Sequence, residues 1–294
     1  MNNEKQKKII APNECSFIRW IITLLVGGAI GILIALPGLL PLAEKGGVFM
    51  GLTYESMASL VVFVGQFFGF WIALKLVAKT SLRDFVFGVG GKFNKKVSLI
   101  IFVLYALGMA IPFLLTIDKI QLRDVQWEQF AFLVGFMLLT AICQTTWEEL
   151  VCRGILLRWG LKNKFDYSKK AWILAVITTI IFMLGHVSNP EVTSQSGADV
   201  AISIVTYCIP GFVCVLANLH FGDLMPGIII HWVNNFTLFT LISETNNATA
   251  VPVPSLFSYS PDGGAVWGLI STLIPHIPVL IYILVDAIKR KKAA

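Results

Sequence analysis

A chain of 294 residues that is 56% hydrophobic and only 14% charged does not have the make-up of a soluble domain, where about 25% of residues carry charge. That composition leaves no room for a separate soluble domain, a repeat array or a low-complexity linker, and the length suits one compact membrane bundle over 1–294. The net charge of +6 needs no nucleic-acid partner, because its distribution along the chain has another cause.

Eight apolar segments follow in chain order: about 17–41, 56–78, 97–117, 128–157, 171–188, 199–220, 225–243 and 264–288. The first follows the basic stretch "NNEKQKK". It is longer than the ~7–15 residue core of a signal peptide and no clear cleavage site follows it, so it reads as a retained span. The fourth is long enough to project from a bilayer, and the seventh is short. The inner loop Ser81 to Lys96 is expected on the membrane surface. Five cysteines (Cys15, Cys143, Cys152, Cys208, Cys214) show no paired spacing and read as reduced, small core residues.

Basic residues fix an orientation. With the N-terminus inside, Lys5, Lys7, Lys8 and Arg19, the group Lys75 to Lys96, the group Arg158 to Lys170, and Lys289 to Lys292 all fall on the inner side, and only Lys45, Lys119 and Arg123 on the outer. This asymmetry predicts an all-α polytopic transmembrane helical bundle of about eight spans with both termini cytoplasmic. The inner charges would face anionic membrane lipid. A multi-pass protein in the plasma membrane of a prokaryote is the expectation. Asn247 opens an N-A-T sequon that matters only in a glycosylating host.

Ionisable groups within apolar segments are expensive and are functional candidates by default. "TTWEELVCRG" carries Glu148, Glu149 and Arg153, "FMLGH" ends at His186, and "HWVNN" holds His231, Asn234 and Asn235. Glu149 and Arg153 are four residues apart on a helix and can neutralise one another. Glu148 points about 100° away, on the face of Gln144 and Cys152, and is left free of the arginine. His231 and Asn235 share a face by the same spacing, and Asn234 could serve in place of Asn235. Three such faces predict convergence on a polar chamber. There a carboxylate can take a proton from water, a histidine can orient that water or protonate a leaving amine, and a second histidine with a carboxamide can donate to an oxyanion. Those are the parts of amide hydrolysis without a covalent intermediate; Cys152 is the one candidate thiol nucleophile.

Simpler roles compete. Glu149–Arg153 could be a structural ion pair, His186 a ring satisfied by a backbone carbonyl, and His231–Asn235 an interhelical glue. His220 reads as interfacial and His276, between Pro275 and Pro278, as a packing residue at a kink. Depths also disagree: Glu148 and Asn235 lie ~15 Å from the inner helix ends but His186 ~24 Å.

In order and on successive segments, "EELVCR", "FMLGH" and "HWVNN" match E-E-x-x-x-R, F-x-x-x-H and H-x-x-x-N. This resembles the CAAX prenyl protease and bacteriocin-processing family (CPBP, or Abi) of intramembrane glutamate proteases, over residues 127–241. The resemblance implies a catalytic core in which Glu148 is the water-activating base and His186 its partner. It implies further that His231 and Asn235 form the oxyanion hole, with Glu149 and Arg153 in support. It implies an endopeptidase acting on a membrane-associated or lipidated peptide or protein, without cofactor. Zinc on two histidines and a glutamate is the less favoured site, since no H-E-x-x-H is present. The alternative is a non-catalytic immunity or peptide-binding scaffold of the same family. A transporter lacks the inverted repeat it would need. Substrate identity and oligomeric state are not encoded in any motif.

Overall fold

Polar residues at the edges of the apolar segments start the helices. Ser16, Thr53, Ser81, Asn94 and Ser168 each accept a hydrogen bond of 3.0–3.3 Å from the backbone N–H three residues on, filling one of the donors a helix start leaves open. The computed structural model describes residues 11–293 apart from 46, 163, 164, 194, 245–254, 261 and 263; Lys5, Lys7, Lys8 and Lys164 of the charge argument, and Asn247, lie outside the described residues.

The elements in order are α1 (Phe17–Glu44), β1 (Val48–Phe49), β2 (Leu52–Thr53), α2 (Tyr54–Ala73), α3 (Leu82–Phe87), α4 (Lys95–Leu115), β3 (Ile120–Leu122), α5 (Trp127–Glu149), α6 (Ile155–Leu161), α7 (Lys169–Leu184), α8 (Pro190–Thr193), α9 (Ala198–Phe221), α10 (Met225–Phe236), β4 (Ile242–Glu244), β5 (Phe257–Tyr259) and α11 (Gly264–Ala293). Among the described residues, six stretches are long and apolar enough to cross a membrane: Phe17–Leu42, Tyr54–Ala78, Lys95–Leu115, Trp127–Leu161, Ala198–Phe221 and Gly264–Ala293. The fifth and seventh apolar segments form shorter helices, α7 of 16 residues and α10 of 12. The chain is an all-α polytopic helical membrane protein whose sheets are very small.

Two ends of the bundle are defined by contacts between distant segments. At one, Cys15 meets the carbonyl of Ala78, Leu224 N–H donates to Val86 O, and Arg290 reaches His220 O. At the other, β5 pairs antiparallel with β3 and parallel with β4, setting Tyr259 opposite Ile120 and Phe257 opposite Ile242. The described basic residues of α3, α6 and the tail of α11 sit at the first end.

Within the loop from Ser81 to Lys96, helix α3 is tucked into the end of the bundle, with Phe85 fully buried against Trp20, while Val89 and Phe93 are exposed. The cause is Arg158, buried on α6, which donates from Nε to Phe85 O at 2.7 Å and from Nη2 to Val86 O. A guanidinium fork thereby satisfies carbonyls that the end of a short helix leaves open.

Segment four also differs from an unbroken helix. A π turn at Leu150–Gly154 separates α5 from α6, and a second at Thr237–Leu241 follows α10. Such turns concentrate at functional sites, and these two flank the polar residues singled out above. The connection from α9 to α10 is tight: α9 closes on Gly222 in a left-handed conformation (φ 84°) and Pro226 opens α10, the residue types that each position favours.

Candidate active site

Helix α5 brings Gln144, Glu148 and Glu149 to the bundle interior, and the π turn after it turns Arg153 back over Glu149. Arg153 Nη1 donates to Glu149 Oε1 at 2.6 Å with both side chains fully buried. Its Nη2 lies 3.4 Å from Gly211 O on α9, and the guanidinium covers the Phe182 ring of α7 at 4.0 Å. A buried ion pair needs this density of partners to offset its desolvation.

Helix α10 completes the centre. The Nδ1 of His231 is 3.1 Å from Glu149 Oε1, and its Nε2 is 3.4 Å from Glu148 Oε2. The imidazole therefore stands between the two carboxylates. Arg153 keeps Glu149 an acceptor, so Nδ1 is placed to donate to Glu149 Oε1 while Nε2 faces Glu148 Oε2. Glu148 is 7% exposed and His231 5%. Gln144 Nε2 donates to Glu148 Oε1 at 3.1 Å, while Glu148 Oε2 takes no hydrogen bond among the described residues. Glu148 is thus free of Arg153 as expected, but not free of partners.

α10 approaches this closely because residue 227 has no side chain. A Cβ there would lie 2.8 Å from Asn218 Oδ1, Asn218 Nδ2 and Glu149 Oε2 alike. Asn218 on α9 accepts from Gly227 N–H at 2.8 Å and is fully buried. Sequence reasoning passed over Asn218 although the signal was present, a carboxamide inside the apolar run "VCVLANLHF".

Asn234 and Asn235 act in tandem. Asn234 Nδ2 donates to Asn235 Oδ1 at 3.2 Å, which leaves the Asn235 Nδ2 hydrogens for another acceptor.

His186 sits differently from the expectation. Helix α7 stops at Leu184, so His186 lies on the turn beyond it, and its Nδ1 donates to Phe182 O at 2.7 Å. No hydrogen bond joins His186 to Glu148. Phe182 stands between the two histidines, with ring centroids 4.4 Å from His186 and 5.4 Å from His231. In keeping with the depth mismatch read from the sequence, it is Phe182 that meets His231 and Arg153, with His186 on its other side. The His186 ring stacks on Tyr207 of α9 at 4.6 Å, and its Nε2 is the acceptor of the neutral form.

Cys152 is half-buried and unpaired with other cysteines. Among the described residues no group of three or more His, Cys, Asp or Glu side chains is arranged to hold a metal ion. His220, near the end of α9, is buried, 2.8 Å from Asp286 and 2.7 Å from the Tyr167 hydroxyl.

This is a polytopic membrane protein with a buried carboxylate–imidazole–carboxylate centre between α5 and α10. Residues 129–237 match the model of a family described as Rce1-like, type II CAAX prenyl endopeptidase. All three motifs lie inside that stretch, and the resemblance to the CAAX prenyl protease family is borne out over it. An uncharacterized protein of Bacillus subtilis (strain 168), YyaK, is 26% identical over 224 residues, covering 74% of this chain and 71% of that protein. No solved structure matches the chain.

Proposed function

We propose that the chain is an intramembrane endopeptidase that hydrolyses a peptide bond in a membrane-associated or lipidated peptide or protein, using water activated by Glu148. The observation that carries this reading is the placement of His231 between Glu149 Oε1 and Glu148 Oε2. A structural ion pair needs Glu149 and Arg153 alone; a second buried carboxylate on the far side of the same imidazole adds desolvation cost that the pair itself does not require.

In this reading Glu148 Oε2 takes a proton from water as the water oxygen attacks the carbonyl carbon. The negative charge moves to the carbonyl oxygen, where Asn235 Nδ2–H donates to it. Collapse breaks the C–N bond, and the proton held on Glu148 passes to the leaving amine, directly or by way of His231 Nε2. Glu149, kept ionised by Arg153, holds His231 in the tautomer this transfer needs. His186, one ring beyond Phe182, is the partner that the resemblance assigns to Glu148 for orienting the water. The site needs no metal in this scheme. The described basic end of the bundle is assigned to the cytoplasm, with 127–241 as the catalytic core.

The test compares cleaved membrane peptides in cells carrying wild type, Glu148→Ala or His186→Ala, with equal amounts of each protein. Peptides present with wild type and missing with both variants support the reading. Identical profiles favour a non-catalytic immunity or peptide-binding protein instead.

A further inference from the structure

The amide pair of α10 is held from behind by residues outside the matched stretch 129–237. Tyr105 of α4 donates from its hydroxyl to Asn234 Oδ1 at 3.2 Å. The same hydroxyl lies 3.3 Å from His276 Nε2 of α11. His276 Nδ1 in turn donates to the backbone carbonyl of Thr272 at 2.7 Å, and the two rings meet edge to face at 5.0 Å. Tyr105 and His276 are both fully buried. The result is a line of contacts through three helices: Thr272, His276, Tyr105, Asn234, Asn235.

Each link removes a freedom. The Thr272 carbonyl only accepts, so it fixes the His276 ring with the proton on Nδ1, and the neutral ring turns Nε2 to the phenol as an acceptor. The phenol has one proton and two acceptors in reach, Asn234 Oδ1 at 3.2 Å and His276 Nε2 at 3.3 Å. Placed on Asn234 Oδ1, that proton makes Asn234 present its Nδ2 to the neighbour. Asn235 must then answer with Oδ1, and its own N–H hydrogens turn away from the pair. Without the phenol, the Asn234 carboxamide could rotate by half a turn and offer Oδ1 to Asn235, which would reverse the end that Asn235 presents. A phenol and an imidazole beside an apolar cluster that includes Ile101, Val279 and Ile283 carry a desolvation cost that apolar residues of the same shape would avoid. Packing alone therefore does not account for them.

We propose that Tyr105 and His276 are positioning residues that set which end of the Asn235 carboxamide faces the site. The catalytic consequence rests on the protease reading; the positional claim does not.

Two measurements test it. In detergent-solubilised protein labelled with 15N-asparagine, the side-chain amide signals of Asn235 are identified by their loss in Asn235→Ala. They are expected to shift in Tyr105→Phe and in His276→Gln, with the Asn218 signals unmoved. Asn235 signals unchanged in both variants overturn the proposal, and two variants are used so that a folding defect in one leaves the other to decide. The second measurement uses a peptide whose cleavage is lost in Glu148→Ala. Tyr105→Phe is expected to lower kcat about tenfold with KM unchanged and to have no further effect in the Asn235→Ala background. Equal losses in both backgrounds overturn the route through Asn235. If Glu148→Ala changes no peptide at all, the protease reading fails on that result, and the amide signals still decide the positional claim.

Discussion

His231 Nδ1 lies 3.1 Å from the same Glu149 oxygen that receives Arg153 Nη1 at 2.6 Å. One carboxylate oxygen thus serves the arginine and orients the imidazole. Arg153→Met would leave Glu149 charged, buried and short of its partner. Thermal unfolding in detergent should show a loss of about 3–5 kcal/mol, largely recovered in the double variant Arg153→Met with Glu149→Gln. An Arg153→Met protein as stable as wild type would remove the ion pair from the account of the site.

Glu148→Gln separates chemistry from folding. Glutamine keeps the size of Glu148 and a polar group for Gln144, but cannot take a proton. Peptide cleavage is expected to fall at least about 10²-fold, with thermal stability and gel-filtration profile unchanged.

Gly227→Ala has a sign that the local geometry decides. In an ordinary helix interior the change would stabilise by about 1 kcal/mol. Here the added methyl would sit 2.8 Å from Glu149 Oε2 and both Asn218 amide atoms, and overpacking of this kind costs about 1–3 kcal/mol. The melting temperature should drop and cleavage should fall with it. A rise in melting temperature would mean that α9 and α10 have room to part.

Asp223, in the turn before α10, gives a prediction in pH. Burial raises its carboxyl above the ordinary value, opposed in part by the Met225 N–H, 2.8 Å from its Oδ1, and by Arg158. A folded value above the unfolded one, about 3.9, means that the folded state holds the proton to higher pH. Stability from this group is therefore full below the unfolded value and declines as pH rises through the folded value. Asp223→Asn keeps the acceptor for Met225 and removes the titration. The difference in melting temperature between variant and wild type should grow as pH rises from the acid side and then level off; a difference constant with pH would refute the assignment.

The class of fold and the residues at its centre were legible for one reason. Carboxylates, imidazoles and amides are costly in apolar segments, so Glu148, Glu149, Arg153, His231 and Asn235 stand out individually and their spacing gives the faces. Pairing across helices was not legible. Nothing in the local sequence says that His231 answers to Glu149 as well as Glu148, or that Arg158 closes on α3. The end of α7 is marked by Gly185, but the apolar run continues past that glycine, and so His186 falls on a turn past Leu184. His276 looked like a packing residue because its partner, Tyr105, is 171 positions away. The expectation of about eight spans met two short helices, α7 and α10, because hydropathy counts apolar residues without seeing which of them line the interior.

The π turn at Leu150–Gly154 holds one residue more than an α-helical path between the same points. Upstream of it the helix is phased to present Glu148 and Glu149; downstream it is phased to hold Arg158 under Phe85 and Val86. The wider turn absorbs that surplus residue, so the same chain can present Glu148 and Glu149 on one side of it and Arg158 on the other. Winding all five residues 150–154 as ordinary α-helix would swing everything after them by about 100°, and the clasp on α3 would open though every one of its own atoms survived.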